Sequence, residues 1–181
     1  MSGFDTVRTN IIRTFTWRTF TWALAPLASL SACSFLVPTD REPGKRAYGY
    51  HLSTPPTWKT RSADQSDHAF QLPSGNTVTV VSSCARNADA PPDVLTKHLL
   101  IGSRNIVIDK QEKVSVDGAD GLHSAIRATF DGMPFFLEVM VIPKAGCVFD
   151  LSLISPKPIH SKESQEFERF AQTFRYSGAT P

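Results

Sequence analysis

The chain has 181 residues, 41% of them hydrophobic and 20% charged, with a formal net charge of +2. That apolar share excludes a disordered chain, and the single long uncharged apolar stretch excludes a polytopic membrane protein. The positive excess lies before Cys33, in Arg8, Arg13 and Arg18 against Asp5, and the balanced remainder carries no electrostatic footprint for nucleic acid.

Residues 1–32 have the layout of a secretory signal peptide: an arginine-punctuated polar stretch, an apolar run from Thr19 to Leu30, then small residues. The run ends in Leu30-Ser31-Ala32-Cys33, which resembles a bacterial lipobox. The resemblance implies cleavage before Cys33, a thioether-linked diacylglycerol on its sulfur, and acylation of the new amino terminus by a chain such as palmitate. Several acyl chains hold a protein at a membrane far better than one. Two other readings stand. Residues 19–39 carry no charge and are long enough for an uncleaved anchor of about 20 residues, although Pro26 and the many Thr and Ser weigh against it. The segment also fits an ordinary cleaved signal. Ser34, where enteric inner-membrane lipoproteins carry Asp, points to the outer membrane, with the domain facing the periplasm. Residues 33–47, with Pro38, Pro43 and Gly44, read as a lipidated tether.

Ordered structure is expected over 48–177. Tyr48 to Leu52 reads as a first strand, broken by Pro55-Pro56. Ala69–Leu72 and Thr77–Cys84 flank the turn cluster Pro73-Ser74-Gly75-Asn76 and predict a hairpin. Pro91-Pro92-Asp93 opens a helix with Leu95 and Leu99 on one face and Gly102 as its terminator. Turn signals at 117–121, at Asp131-Gly132 and at 143–146 then separate strands near 113–117, 122–130, 135–142 and 147–154. Ser161 is placed as the N-cap of a closing helix whose stripe Phe167, Phe170, Ala171 and Phe174 packs on the sheet.

This order of strands, helix, four-strand meander and terminal helix resembles the PsbP-like fold and its DcrB-like envelope lipoprotein relatives. The resemblance implies an α+β fold, an α/β/α sandwich around an antiparallel sheet. It brings no shared catalytic residues.

With Cys33 assigned to lipid, Cys84 and Cys147 remain, and an even pair in an exported domain is a disulfide candidate. Each shares the parity of the apolar face of its strand, so both thiols point toward the core from strand ends. A bridge would close a loop of about 60 residues and contribute roughly 2–4 kcal/mol; two buried free thiols are the other reading.

There is no Gly-x-Ser-x-Gly elbow and no phosphate-cradling loop, and no two of His51, His68, His98, His123 and His160 have ligand spacing. All five are expected at surface or boundary positions. Asp117 and Asp120 read as hairpin chemistry rather than a calcium loop, and Glu138 and Asp150 as solvated positions on alternating strands. No catalytic, cofactor or metal site is expected. The leading expectation is a non-enzymatic binding or assembly module of the cell envelope, with a membrane anchor and an envelope protein partner. The alternative is a small envelope hydrolase whose site is assembled from sequence-distant residues.

Overall fold

The structure is a computed structural model and describes residues 45–62, 65–84 and 89–178. The signal peptide, the lipobox with Cys33 and most of the tether lie outside the described residues. In chain order the elements are β1 (Tyr50–His51), β2 (Lys59–Arg61), β3 (His68–Gln71), β4 (Thr77–Ser83), α1 (Pro92–Leu99), β5 (Arg104–Val116), β6 (Ala119–Phe130), β7 (Met133–Lys144), β8 (Cys147–Ser155), α2 (Ser161–Gln172) and β9 (Arg175–Tyr176).

Seven strands form one sheet in the order β2-β3-β4-β8-β7-β6-β5, antiparallel throughout. Strands β5 to β8 are the expected meander. Their turns are Asp117-Gly118, Asp131-Gly132 and Ala145-Gly146, with positive φ at both central residues of each. That is the backbone that matches the right-handed twist of the flanking strands.

The sheet is covered on both faces, as an α/β/α sandwich requires. On one face Phe167, Phe170, Ala171 and Phe174 are fully buried against Val78, Val80, Met140, Ile142, Phe149, Leu151 and Leu153. On the other, Leu95 and Leu100 pack with Ile126, Leu137, Val139, Val141 and Val148. The two faces alternate along β7, so Met140 and Ile142 look toward α2 while Val139 and Val141 look toward α1.

Several boundaries differ from expectation for physical reasons. The strand expected near 113–117 runs from Arg104, almost wholly exposed. As the end strand of the sheet it has no buried face to impose alternation. Two register shifts, between Arg104 and Val107 and between Ile108 and Lys110, disturb it further. Helix α1 buries Thr96, and Leu100 just past its end is buried in place of Leu99, which is exposed. The Thr96 hydroxyl is satisfied within the helix by donating to the Pro92 carbonyl at 2.8 Å. His160, not Ser161, caps α2, and its carbonyl accepts from the N–H groups of Glu163 and Ser164. The first strand is short and pairs with β9 as a separate two-stranded ribbon, Tyr50 opposite Tyr176. Lys45 bridges Cys84, and Ala47 is buried with its N–H on the Ser82 hydroxyl at 2.8 Å.

Candidate functional site

Cys84 and Cys147 are joined in a disulfide across 63 residues. Strands β4 and β8 pair up to Ser83 opposite Val148, so the cysteines continue that ladder as the next facing pair. The bridge therefore clamps two hydrogen-bonded neighbours at the junction between the first hairpin and the meander.

The register of the meander gathers a second group. Glu112 on β5 lies opposite His123 on β6, and Ala125 opposite Glu138 on β7. These positions share the face covered by α2, which adds Glu168 and Ser164. His123 is 1% exposed. Its Nδ1 lies 3.4 Å from Glu112 Oε1 and 3.4 Å from Glu168 Oε1, and its Nε2 lies 3.4 Å from Glu138 Oε2. Nε2 is buried without a partner in hydrogen-bond geometry, so the Glu138 contact is electrostatic. Ser164 Oγ donates to Glu138 Oε2 at 2.9 Å. Lys110 Nζ approaches Glu112 Oε1 at 2.6 Å and Glu168 Oε1 at 3.5 Å.

Burial works against the charged imidazole, but Glu138 and Glu112 contacts and the negative charge of Glu168 outweigh it and raise the His123 pKa above its ordinary value. The Lys110 ammonium, helped by His123, holds the Glu112 carboxyl below the ordinary carboxylate range. Glu112 in turn raises Lys110. The group cannot act as a serine hydrolase triad: the Ser164 hydroxyl gives its proton to Glu138 and not to the imidazole, reversing the required order. Beside it runs an open groove of about 460 Å³ lined by Ala125, Phe136, Glu138, Pro158 and Ile159. Its Arg127 guanidinium is held by Asp109 in a two-pronged pair at 2.6 and 2.7 Å.

Two sequence expectations are corrected here. His123 and Glu138 are buried, whereas His51, His68, His98 and His160 are exposed as expected. Asp150 is also withdrawn from water on the opposite face: its Oδ1 has no partner, and desolvation pushes its carboxyl up to about 7. The signal was present in the sequence. Phe135-Phe-Leu-Glu-Val-Met-Val-Ile142 and Cys147-Val-Phe-Asp-Leu151 are apolar on both sides of the acid, the mark of a strand covered on both faces. A charge inside such a run has no solvated side to occupy. Asp117 does sit in its hairpin turn, where its carboxylate takes the Lys144 ammonium and the Tyr176 N–H.

A different surface is formed by β5. Among the described residues no strand pairs with its outer edge. Ile106, Val107 and Ile108 are each 44% exposed, and Phe130 and Met133 stand exposed at the neighbouring β6–β7 turn. The opposite edge, β2, has three residues, all exposed and two of them basic.

In sequence the chain matches no family model and no curated protein. In structure it is similar to the cyanobacterial PsbP protein CyanoP from Synechocystis, with a TM-score of 0.52 and 15% identity over 71% of this chain and 86% of that one. A Bacteroides thetaiotaomicron protein aligns with a TM-score of 0.49 and 16% identity over 77% of this chain and 51% of that chain. LpqN of Mycobacterium tuberculosis, described as involved in cell envelope biogenesis, aligns with a TM-score of 0.41 and 15% identity, covering 74% and 83%. The likeness to CyanoP shows a PsbP-like fold, and at this identity a likeness of fold alone.

Proposed function

We propose that this chain is a lipid-anchored protein of the bacterial cell envelope whose sandwich domain binds a protein partner along the open edge of β5, without catalysis. The edge itself carries this reading. A strand of 13 residues at the end of a sheet offers a row of backbone donors and acceptors, and an extended segment of a partner can add to it. The exposed Ile106, Val107, Ile108, Phe130 and Met133 supply apolar anchors at one end of that row. Lys110 and Lys113 break up the rest and the register shifts interrupt the apolar end itself, which together disfavour pairing between identical edges. The disulfide fits an oxidising compartment, and the lipobox at Cys33 supplies the anchor. Among the described residues no helix is long and apolar enough to cross a membrane.

A photo-crosslinking side chain placed at Ile106 or Ile108 in the native host tests the edge. A discrete adduct is expected there, absent from the same probe at Thr60 on β2 and lost on Val107→Asp. Equal adducts at both edges, or none, overturn the reading. Intact mass spectrometry of protein extracted from its native membrane tests the anchor. The mass should begin at Cys33 and include acyl chains; a full-length unlipidated mass overturns it.

A further inference from the structure

We propose that His123, Glu112 and Glu168 form a binding site for a divalent transition cation of the Zn2+ class, with Lys110 as the counter-ion that the cation displaces. The three donor atoms lie within 4.8 Å of one another. His123 Nδ1 stands 3.4 Å from each carboxylate oxygen. A tetrahedral centre with ligand bonds of about 2.0–2.2 Å separates its ligands by about 3.4 Å, so both imidazole–carboxylate spacings already fit. Imidazole and carboxylate together suit this class of ion.

The buried ring sets the group apart from a surface patch of acids. His123 is 1% exposed, and its Nε2 has no hydrogen-bond partner. Nε2 faces Glu138, whose carboxylate is itself oriented by the Ser164 hydroxyl. An ion on Nδ1 fixes the tautomer with hydrogen on Nε2, 3.4 Å from Glu138 Oε2, where a small turn of the ring on binding aims that hydrogen at the carboxylate. The result is the carboxylate–histidine–metal relay in which an outer acid orients the ring and raises its basicity. The cluster thus holds both the ligands and the support that such a ligand requires.

Lys110 marks where the cation goes. Its ammonium satisfies Glu112 at 2.6 Å and Glu168 only at 3.5 Å, so one point charge serves two carboxylates unequally. A divalent ion meets both at bonding distance. Lys110, Glu112 and Glu168 are each partly exposed, so the lysine can swing into solvent and the ion has a path in. A bound ion would tie α2 to the paired strands β5 and β6, which the helix otherwise meets here through side chains alone. The site does not depend on the edge-binding reading.

The test uses the full chain with free thiols alkylated, stripped with a chelator, and titrated with ZnCl2 against a chromogenic competitor. One equivalent should bind, with the melting temperature rising as Zn2+ is added. Glu112→Gln and Glu168→Gln, both at partly exposed positions where folding is not at stake, should each weaken binding at least tenfold. Glu138→Gln should weaken it about 10–100-fold through the outer shell. Lys110→Met should tighten it severalfold, which a salt-bridge cluster with no cation role would not show. Absence of a bound equivalent at about 100 µM Zn2+, a level that detects any affinity stronger than roughly 5–6 kcal/mol, overturns the proposal. So does equal binding by the Glu112→Gln/Glu168→Gln double variant, or a Lys110→Met variant that binds no tighter than the parent.

Discussion

Asp150 sits on β8 between Phe149 and Leu151, and its strand neighbours Val81 and Val141 leave its carboxyl little water. Desolvation raises its folded pKa to about 7 from an ordinary 3.8. The fold therefore holds the proton more tightly than the unfolded chain does. Its contribution is full below about pH 4 and is lost as pH rises through about 7. Asp150→Asn, which keeps the shape and removes the charge, should stabilise the domain by roughly 1–3 kcal/mol at pH 8 and by little at pH 4. Denaturant unfolding at the two pH values checks this; an equal gain at both would show that desolvation is not the cause. Gly121 is a second sensitive residue, since a Cβ there would lie 2.9 Å from the Val141 carbonyl oxygen. Gly121→Ala should cost about 1–3 kcal/mol by thermal unfolding, because backbone is the obstacle and cannot swing aside. Ala145 has the opposite sign of effect. It holds φ of 53° where Asp117 and Asp131 occupy the matching turn positions. Ala145→Gly should raise the melting temperature through a gain of about 0.5–1 kcal/mol.

At the level of elements, the disulfide is the strongest local constraint. It links facing positions of β4 and β8 and closes a long loop around α1 and most of the meander. Replacing both cysteines with serine should cost roughly 2–4 kcal/mol in denaturant unfolding, with the native spectrum retained. The meander was legible because Asp-Gly turns have a local backbone cause, and α2 because three phenylalanines at helical spacing need one buried face. Strand β5 was not legible over Arg104–Glu112, since an end strand exposed on both sides carries no alternation to read. Strand β1 was legible within Tyr48–Leu52, but its pairing with β9 was hidden, since a two-residue strand at the far end of the domain has no local signature. The same limit applies to the His123 cluster. Spacing rules look for ligands on one helix or in one loop, whereas here three strands and a helix each contribute through register.

The molecule as a whole is asymmetric. One end of the sheet is a short basic strand, the other a long exposed one with an apolar tip, and each face is covered by a single helix. The start of the domain is also fastened far from where its chain order would place it. Lys45 accepts the Cys84 N–H at 2.7 Å, and Asp67 takes hydrogen bonds from Arg46, Tyr50 and the Ser82 N–H.

That fastening has a mechanical consequence. A pull applied to the chain before Lys45 first opens one backbone bridge and a two-residue ribbon, then peels the short strands β2 and β3, and only then reaches β4, which is covalently tied to β8. The 63 residues spanned by the bridge cannot lengthen under tension while it is intact. At about 3.3–3.6 Å per residue, roughly 200 Å of extension is withheld. In a single-molecule stretching experiment from the two ends, adding reductant should lengthen the unfolding step by about that amount, and an unchanged step would show that the bridge does not form in solution. A domain so built would give way first at its opening residues and its short outer strands, and a pull from that side would stop short at the crosslink.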